Sequence, residues 1–149
     1  MAQEFASIIN LHDVNGTVYF AGDNGSGTGV ELWKTNSVAG DAVLVTDINK
    51  SGSSNPGNFF SYNGVLYFKA DDGHNGKELW KCEGGTSLGT KLVKDIYAGP
   101  GGSNMQDLTE SGGRIYFTAS DKDHTAGSFG TTDGTDNGTS HGGRHLAWF

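Results

Sequence analysis

A short phrase recurs along this chain at an almost fixed interval, and such an interval decides architecture before any single residue does. Gly16-Thr17-Val18-Tyr19-Phe20 returns 48 positions later as Gly64-Val65-Leu66-Tyr67-Phe68, and 49 positions after that as Gly113-Arg114-Ile115-Tyr116-Phe117. Other markers keep step with it. Glu31-Leu32-Trp33-Lys34 recurs as Glu78-Leu79-Trp80-Lys81, and Val43-Leu44-Val45-Thr46-Asp47-Ile48 as Lys91-Leu92-Val93-Lys94-Asp95-Ile96. The 149 residues divide into three copies, 5–53, 54–102 and 103–149, within a single repeat domain 1–149. At a typical ~150 residues per domain there is no room for a second core.

The second copy reveals the unit. Four β-rich runs, Asn58 to Tyr62, Val65 to Ala70, Lys77 to Cys82 and Thr90 to Ile96, are separated by Gly, Asn, Asp and Ser, the residues of turns. The spacing predicts a four-stranded antiparallel meander. Its first two runs are joined by Asn63-Gly64, as they are by Asn15-Gly16 and Gly112-Gly113 in the other copies. Residues that tolerate positive φ at both central positions specify a type I′ hairpin. The second run is apolar on both faces in every copy, whereas a sheet with one wet face would alternate. No Gly-free window of helical period is available as a cover, so neighbouring copies must supply it. The fold class expected is all-β: three four-stranded antiparallel blade-like repeats of about 48 residues, a partial β-propeller.

The run Glu78-Leu79-Trp80-Lys81, a turn, then Gly89-Thr90-Lys91-Leu92-Val93-Lys94-Asp95-Ile96, followed by Gly/Pro/Ser-rich residues and an Asn-Gly hairpin, resembles the ELWxxDGT repeat family of bacterial proteins. The resemblance covers nearly the whole chain. Copy three keeps Thr132-Asp133-Gly134-Thr135; at the Asp-Gly-Thr position copy one has Thr35-Asn36-Ser37 and copy two Cys82-Glu83-Gly84-Gly85-Thr86. The family is propeller-like and found in large secreted or surface proteins, usually as arrays. The resemblance thus implies an extracellular or cell-surface binding or scaffolding module. The third copy is degenerate. Gly127-Ser128-Phe129 stands where Glu-Leu-Trp is expected, and 140–149 where the last strand is expected. Back-translation in another frame restores both, so 127–130 and 140–149 read as out-of-frame stretches.

Composition narrows the partners. A net charge of −7 with a pI near 5.0 lacks the basic face of a phosphate-backbone binder, so nucleic acid is not an expected partner. No apolar stretch approaches the ~18 residues of a membrane span, and Met1-Ala2-Gln3-Glu4-Phe5 has neither the basic nor the apolar region of a signal peptide. The lone Cys82 allows no internal disulfide.

Three residue sets carry candidate chemistry. The loop after the second strand is acidic in every copy, with Asp23, with Asp71 and Asp72, and with Asp121 and Asp123. Calcium takes several oxygens from such short Gly-containing loops, although no EF-hand pattern is completed and the same residues also hydrogen-bond their own backbone. Calcium is therefore the one cofactor considered; otherwise none is expected. Asp47 and Asp95 end the fourth strand, where one carboxylate per blade can line a channel and bind a cation or sugar, or can tie down a turn by accepting N–H bonds. Trp33 and Trp80 can stack on a sugar ring, while their fixed place in a strand suits packing between blades. Two weaker patterns read as structural. His141 and His145 have zinc-ligand spacing, but Gly142 and Gly143 spoil the helix it needs. Gly85-Thr86-Ser87-Leu88-Gly89 matches a nucleophile elbow without the following helix.

The function expected is non-catalytic binding or scaffolding toward a glycan polymer or a protein surface. A calcium-dependent lectin and a propeller enzyme acting on polysaccharide, with Asp47 and Asp95 as acid and base, are the alternatives. Three blades do not close alone, since closed propellers have at least four. A homodimer contributing six blades, or a longer repeat array, is the expected assembly. Light scattering behind size exclusion should therefore give about twice 15.7 kDa or heterogeneous association; a clean, stable monomer would count against the three-blade reading.

Overall fold

The computed structural model describes residues 3–36, 41–120 and 127–141, and every regular element among them is a β-strand. In chain order these are β1 (Ser7–Val14), β2 (Thr17–Asp23), β3 (Glu31–Thr35), β4 (Val43–Thr46), β5 (Gly57–Tyr62), β6 (Val65–Asp71), β7 (Lys77–Cys82), β8 (Thr90–Lys94), β9 (Gln106–Ser111), β10 (Arg114–Ala119), β11 (Ser128–Thr132) and β12 (Ser140–His141). They form three antiparallel sheets, each ordered as its strands follow in sequence: β1 to β4, β5 to β8 and β9 to β12. The type I′ turns are as the sequence specifies. Asn15 and Gly16 have φ of 52° and 88°, Asn63 and Gly64 51° and 75°, and Gly112 and Gly113 60° and 83°.

Between sheets the strands come closest where β1 meets β5 and β5 meets β9. The first strands thus line a common axis, and each sheet leads outward from it to β4, β8 or β12, as blades do. The alternation of side chains in the second strand explains why both of its faces are apolar. Tyr19, Leu32 and Val45 of the first blade pack against Leu66, Phe68, Ala70 and Cys82 of the second. One repeat on, Tyr67, Leu79, Val93 and Ile96 pack against Met105, Ile115, Phe117 and Ala119 of the third. In each Tyr-Phe pair the Tyr therefore faces the following blade and the Phe the preceding one. Each large side chain buried in this way contributes roughly 1.5–3 kcal/mol.

The Tyr also reaches the next blade's outer turn. A Cβ built on Gly134 would lie 2.5 Å from the Tyr67 hydroxyl oxygen, and one built on Gly85 would lie 2.6 Å from that of Tyr19. Both glycines have positive φ, 92° and 64°, so no other residue fits on either count. The turns themselves are closed alike. Thr86 and Thr135 accept from Gly89 N and Gly138 N through their hydroxyls, at 3.0 and 2.9 Å.

The register corrects one detail of the repeat. Phe20 pairs with Trp33 and Phe68 with Trp80, while Phe117 pairs with Gly130. The third copy therefore places Ser128-Phe129-Gly130, rather than Gly127-Ser128-Phe129, at the Glu-Leu-Trp positions. Phe129, at the buried position of Leu32 and Leu79, is 63% exposed, with no fourth blade among the described residues to cover it.

Gly134→Ala should destabilise the protein by about 1–3 kcal/mol, from strain at positive φ and collision with the tyrosine. Tyr67→Phe, which removes the hydroxyl, should recover the steric part of that loss in a urea double-mutant cycle. Strict additivity of the two changes would show that this contact is not made.

Candidate functional site

The residues repeated most faithfully turn out to hold the blades together. Where the chain leaves β4 for β5, its backbone N–H groups pass out of strand pairing and need acceptors. Glu31, at the start of β3, supplies them: its carboxylate accepts from Ile48 N at 2.9 Å, Ser54 N at 2.9 Å and Ser54 Oγ at 2.5 Å. Glu78 does the same one repeat later, accepting from Ile96 N at 3.1 Å and Tyr97 N at 2.9 Å. Both side chains are fully buried. Burial pushes both carboxyls above their ordinary value, and the hydrogen bonds, that of Ser54 to Glu31 and that of Ser103 to Glu78 foremost, counter this only in part.

This assignment corrects the turn-binding role considered for Asp47 and Asp95, since the N–H groups after β4 and β8 go to the glutamates. Asp47 and Asp95 follow the outermost strands of successive blades, away from the axis that β1, β5 and β9 line. Each keeps one buried oxygen, Oδ1, without a hydrogen-bond partner. The other oxygen of Asp47 lies 3.5 Å from Lys50 Nζ, whose side chain is 76% exposed, a contact of little energetic weight.

Trp33 is buried, donates its indole N–H to Gly22 O at 2.9 Å and lies edge-on to Phe5. Trp80 is half-buried against the joint of the first two blades, and its indole N–H has no partner. In the acidic loops the carboxylates cap their own turns. Asp23 accepts from Gly25 N and Asp71 from Gly73 N, both at 2.7 Å. Asp72 accepts from His74 N and Asn75 N. Burial works against the Asp72 carboxylate, yet the Asn75 and His74 N–H groups and the Asn75 amide hold its carboxyl below the usual range. Among the described residues no three His, Cys, Asp or Glu side chains converge on one point. Asp121, Asp123 and His145 lie outside the described residues. Ser87, of the elbow-like motif, sits in the turn before β8, where its hydroxyl meets that of Thr46 at 3.1 Å.

The feature that sequence reasoning missed is on the first strands. Each breaks register at the same place, between Ile9 and His12, between Gly57 and Phe60, and between Gln106 and Thr109. The bulged residue is Asn10, Asn58 or Asp107, at φ 61°, 52° and 57°. Asn and Asp are the non-glycine residues that best tolerate this region. Asn10 Nδ2 donates to Pro56 O at 3.2 Å and Asn58 Nδ2 to Met105 O at 3.1 Å, each reaching the following blade. The bulges open a cavity of about 280 Å³ between the second and third blades, lined by Asn58, Phe59, Phe60, Gln106, Asp107 and Leu108. A signal was present: Asn10, Asn58 and Asp107 recur at steps of 48 and 49, each before an apolar residue.

No family model matches this chain, and no curated protein matches it. Two solved structures resemble it. One, described as Bacteroides ovatus xyloglucan PUL GH43B, is 15% identical with a TM-score of 0.50, over 96% of this chain and 29% of that one. The other is an alpha-L-arabinofuranosidase, CtGH43, from Clostridium thermocellum, 19% identical with a TM-score of 0.43, over 89% of this chain and 49% of that one. The chain thus spans less than a third of the first and about half of the second. The likeness is one of fold: three blades of a β-propeller.

Replacing Glu78 by Gln puts an NH2 group against N–H donors and should cost about 1–3 kcal/mol. Folding raises the Glu78 carboxyl above its ordinary 4.5, so the folded state holds the proton more tightly than the unfolded chain. That stabilisation is complete below about pH 4.5 and is lost as pH rises through the higher folded value. The deficit of the Gln variant in urea unfolding free energy should therefore be largest at acid pH and narrow toward neutrality; a deficit that widens with pH contradicts the assigned direction.

Proposed function

We propose that this chain acts without catalysis, as a repeat module of secreted or cell-surface β-propeller proteins of the ELWxxDGT kind, binding or scaffolding a glycan polymer or a protein surface. The observation that carries this reading is the division of labour among the repeated polar residues. Glu31, Glu78, Asn10 and Asn58 are all engaged in joining one blade to the next. What each blade still presents is its exposed hairpin loop, Asn15-Gly16, Asn63-Gly64 or Gly112-Gly113, one per repeat. A row of similar loops on a shared face suits multivalent attachment to a repeating partner.

The same reading accounts for the outer face of the third blade. Tyr116 and Phe129 lie there with ring centroids 5.4 Å apart, at positions that are buried in the blades before. A further blade, from a second copy or from a longer array, is the natural cover for that face.

Xyloglucan, named for the similar Bacteroides ovatus protein, is the first polymer to test. A glycan array probed with and without chelator should show binding that is insensitive to chelation, with no shortening of the bound glycan. The melting temperature should be the same in millimolar calcium as in excess chelator. Chelator-sensitive binding would favour the calcium-dependent lectin; glycan cleavage that disappears in Asp47→Asn or Asp95→Asn would favour the enzyme.

A further inference from the structure

We propose that the cavity at the axis between β5 and β9 is a subsite for one neutral sugar residue. The inference rests on the binding-module reading and names the ligand of its axial face. At about 280 Å³ this open cavity falls just below the ~300 to 1,000 Å³ of drug-sized ligand pockets, so it suits no more than a single ring. Its walls divide by chemistry. Phe60 and Leu108, which pack at the second joint, are half-buried and apolar. Phe59 lines the site beside them with its ring turned to the first joint; Asn58, Gln106 and Asp107 are exposed and polar. A pyranose or furanose ring has the matching division: C–H groups on its faces and hydroxyls, which both donate and accept, around its rim.

Asn58 already donates to Met105 O; the other two polar groups are free to serve such hydroxyls. Gln106 uses no side-chain atom in bonding the protein, so its amide offers both a carbonyl and an NH2. Asp107 stands where Asn10 and Asn58 donate to the following blade; as a carboxylate it has no N–H to donate. It accepts from Thr118 Oγ1 at 3.1 Å through Oδ2, which leaves Oδ1 without a protein partner. Of the six lining residues none is cationic, and the chain carries −7, so an anionic ligand meets repulsion. A lone carboxylate is too few ligands for calcium. A neutral polyol is the ligand class left.

Backbone conformation agrees. Asn58 and Asp107 are held in the left-handed region, and bulges of this kind re-aim side chains beside binding sites. Between the first two blades the equivalent residues are Leu11 and His12 for the phenylalanines and Gly57 and Asn58 for Gln106 and Asp107. That pair has no side chain in place of Gln106, and in place of the Asp107 carboxylate an amide already bonded to Met105 O, so these groups come together only at the second joint.

The test is amide shift mapping with xyloglucan, cello- and arabino-oligosaccharides as probes and oligogalacturonate as the charged control. Neutral probes should shift residues 58–60 and 106–108, and the charged control should not. Gln106→Ala and Asp107→Gly, the latter because glycine retains the left-handed φ, should each weaken binding at least about tenfold while the melting temperature holds. The proposal is overturned if no neutral probe binds, if the shifts map elsewhere, or if the double variant binds as tightly as the native protein. Binding at another surface would leave the module reading intact and remove only the subsite. Shortening of any probe would remove the non-catalytic reading wherever the probe binds.

Discussion

Two buried carboxylates decide how the blades stand against each other. Apolar burial pulls the sheets together, but it is non-directional and roughly proportional to area, so it cannot by itself select one stacking. The linkers between blades carry backbone N–H groups that must be satisfied where strand pairing stops. Glu31 reaches across to Ile48 and Ser54, and Glu78 to Ile96 and Tyr97. Each therefore pins the end of one sheet and the approach to the next with a single side chain. Burying a carboxylate is costly unless it is well hydrogen-bonded, and that requirement makes the linker path specific: few loop conformations return three donors to one point. The tyrosine that abuts the next blade's glycine, and the asparagine that reaches the next blade's carbonyl, both depend on the stacking so set.

The architecture was legible because it rests on local rules applied three times over. Asn-Gly and Gly-Gly turns, two-faced apolar strands and a fixed period lead to meanders that must pack on one another, and the sheet order follows. The role of Glu31 and Glu78 was not legible, because a Glu heading a strand reads as solvent-facing; only the path of the distant linker shows that it is enclosed. Asp47 and Asp95 attracted attention instead because they sit next to the linker in sequence, but the distance that matters is through space. The axial bulges escaped for a related reason. A register slip of one residue leaves the composition of a strand unchanged, and only the positive φ at Asn10, Asn58 and Asp107 marks it.

The outer faces differ in kind from the joints. At the first blade Phe5 lies edge-on to Phe20 and Trp33, with centroids 5.4 and 4.9 Å away, so the face that would meet a preceding blade is partly closed by the chain itself. At the third blade Ser128 occupies the glutamate position and Asp107 the asparagine position. Neither can reproduce the bonds made at the two internal joints. The third blade therefore shows an apolar face without the polar fittings that would dictate how a neighbour sits on it.

The glutamate and asparagine links between blades point the same way along the chain. The glutamate and the asparagine of one blade each reach forward to the segment entering the next, and Asn10 and Asn58 find their partners 46 and 47 residues ahead. During synthesis, at ~5–20 residues per second from the N-terminus, a finished blade would wait only seconds for the segment that completes its joint. Each later blade therefore meets a preformed surface. The repeat thus carries a built-in direction of growth that matches the direction of translation.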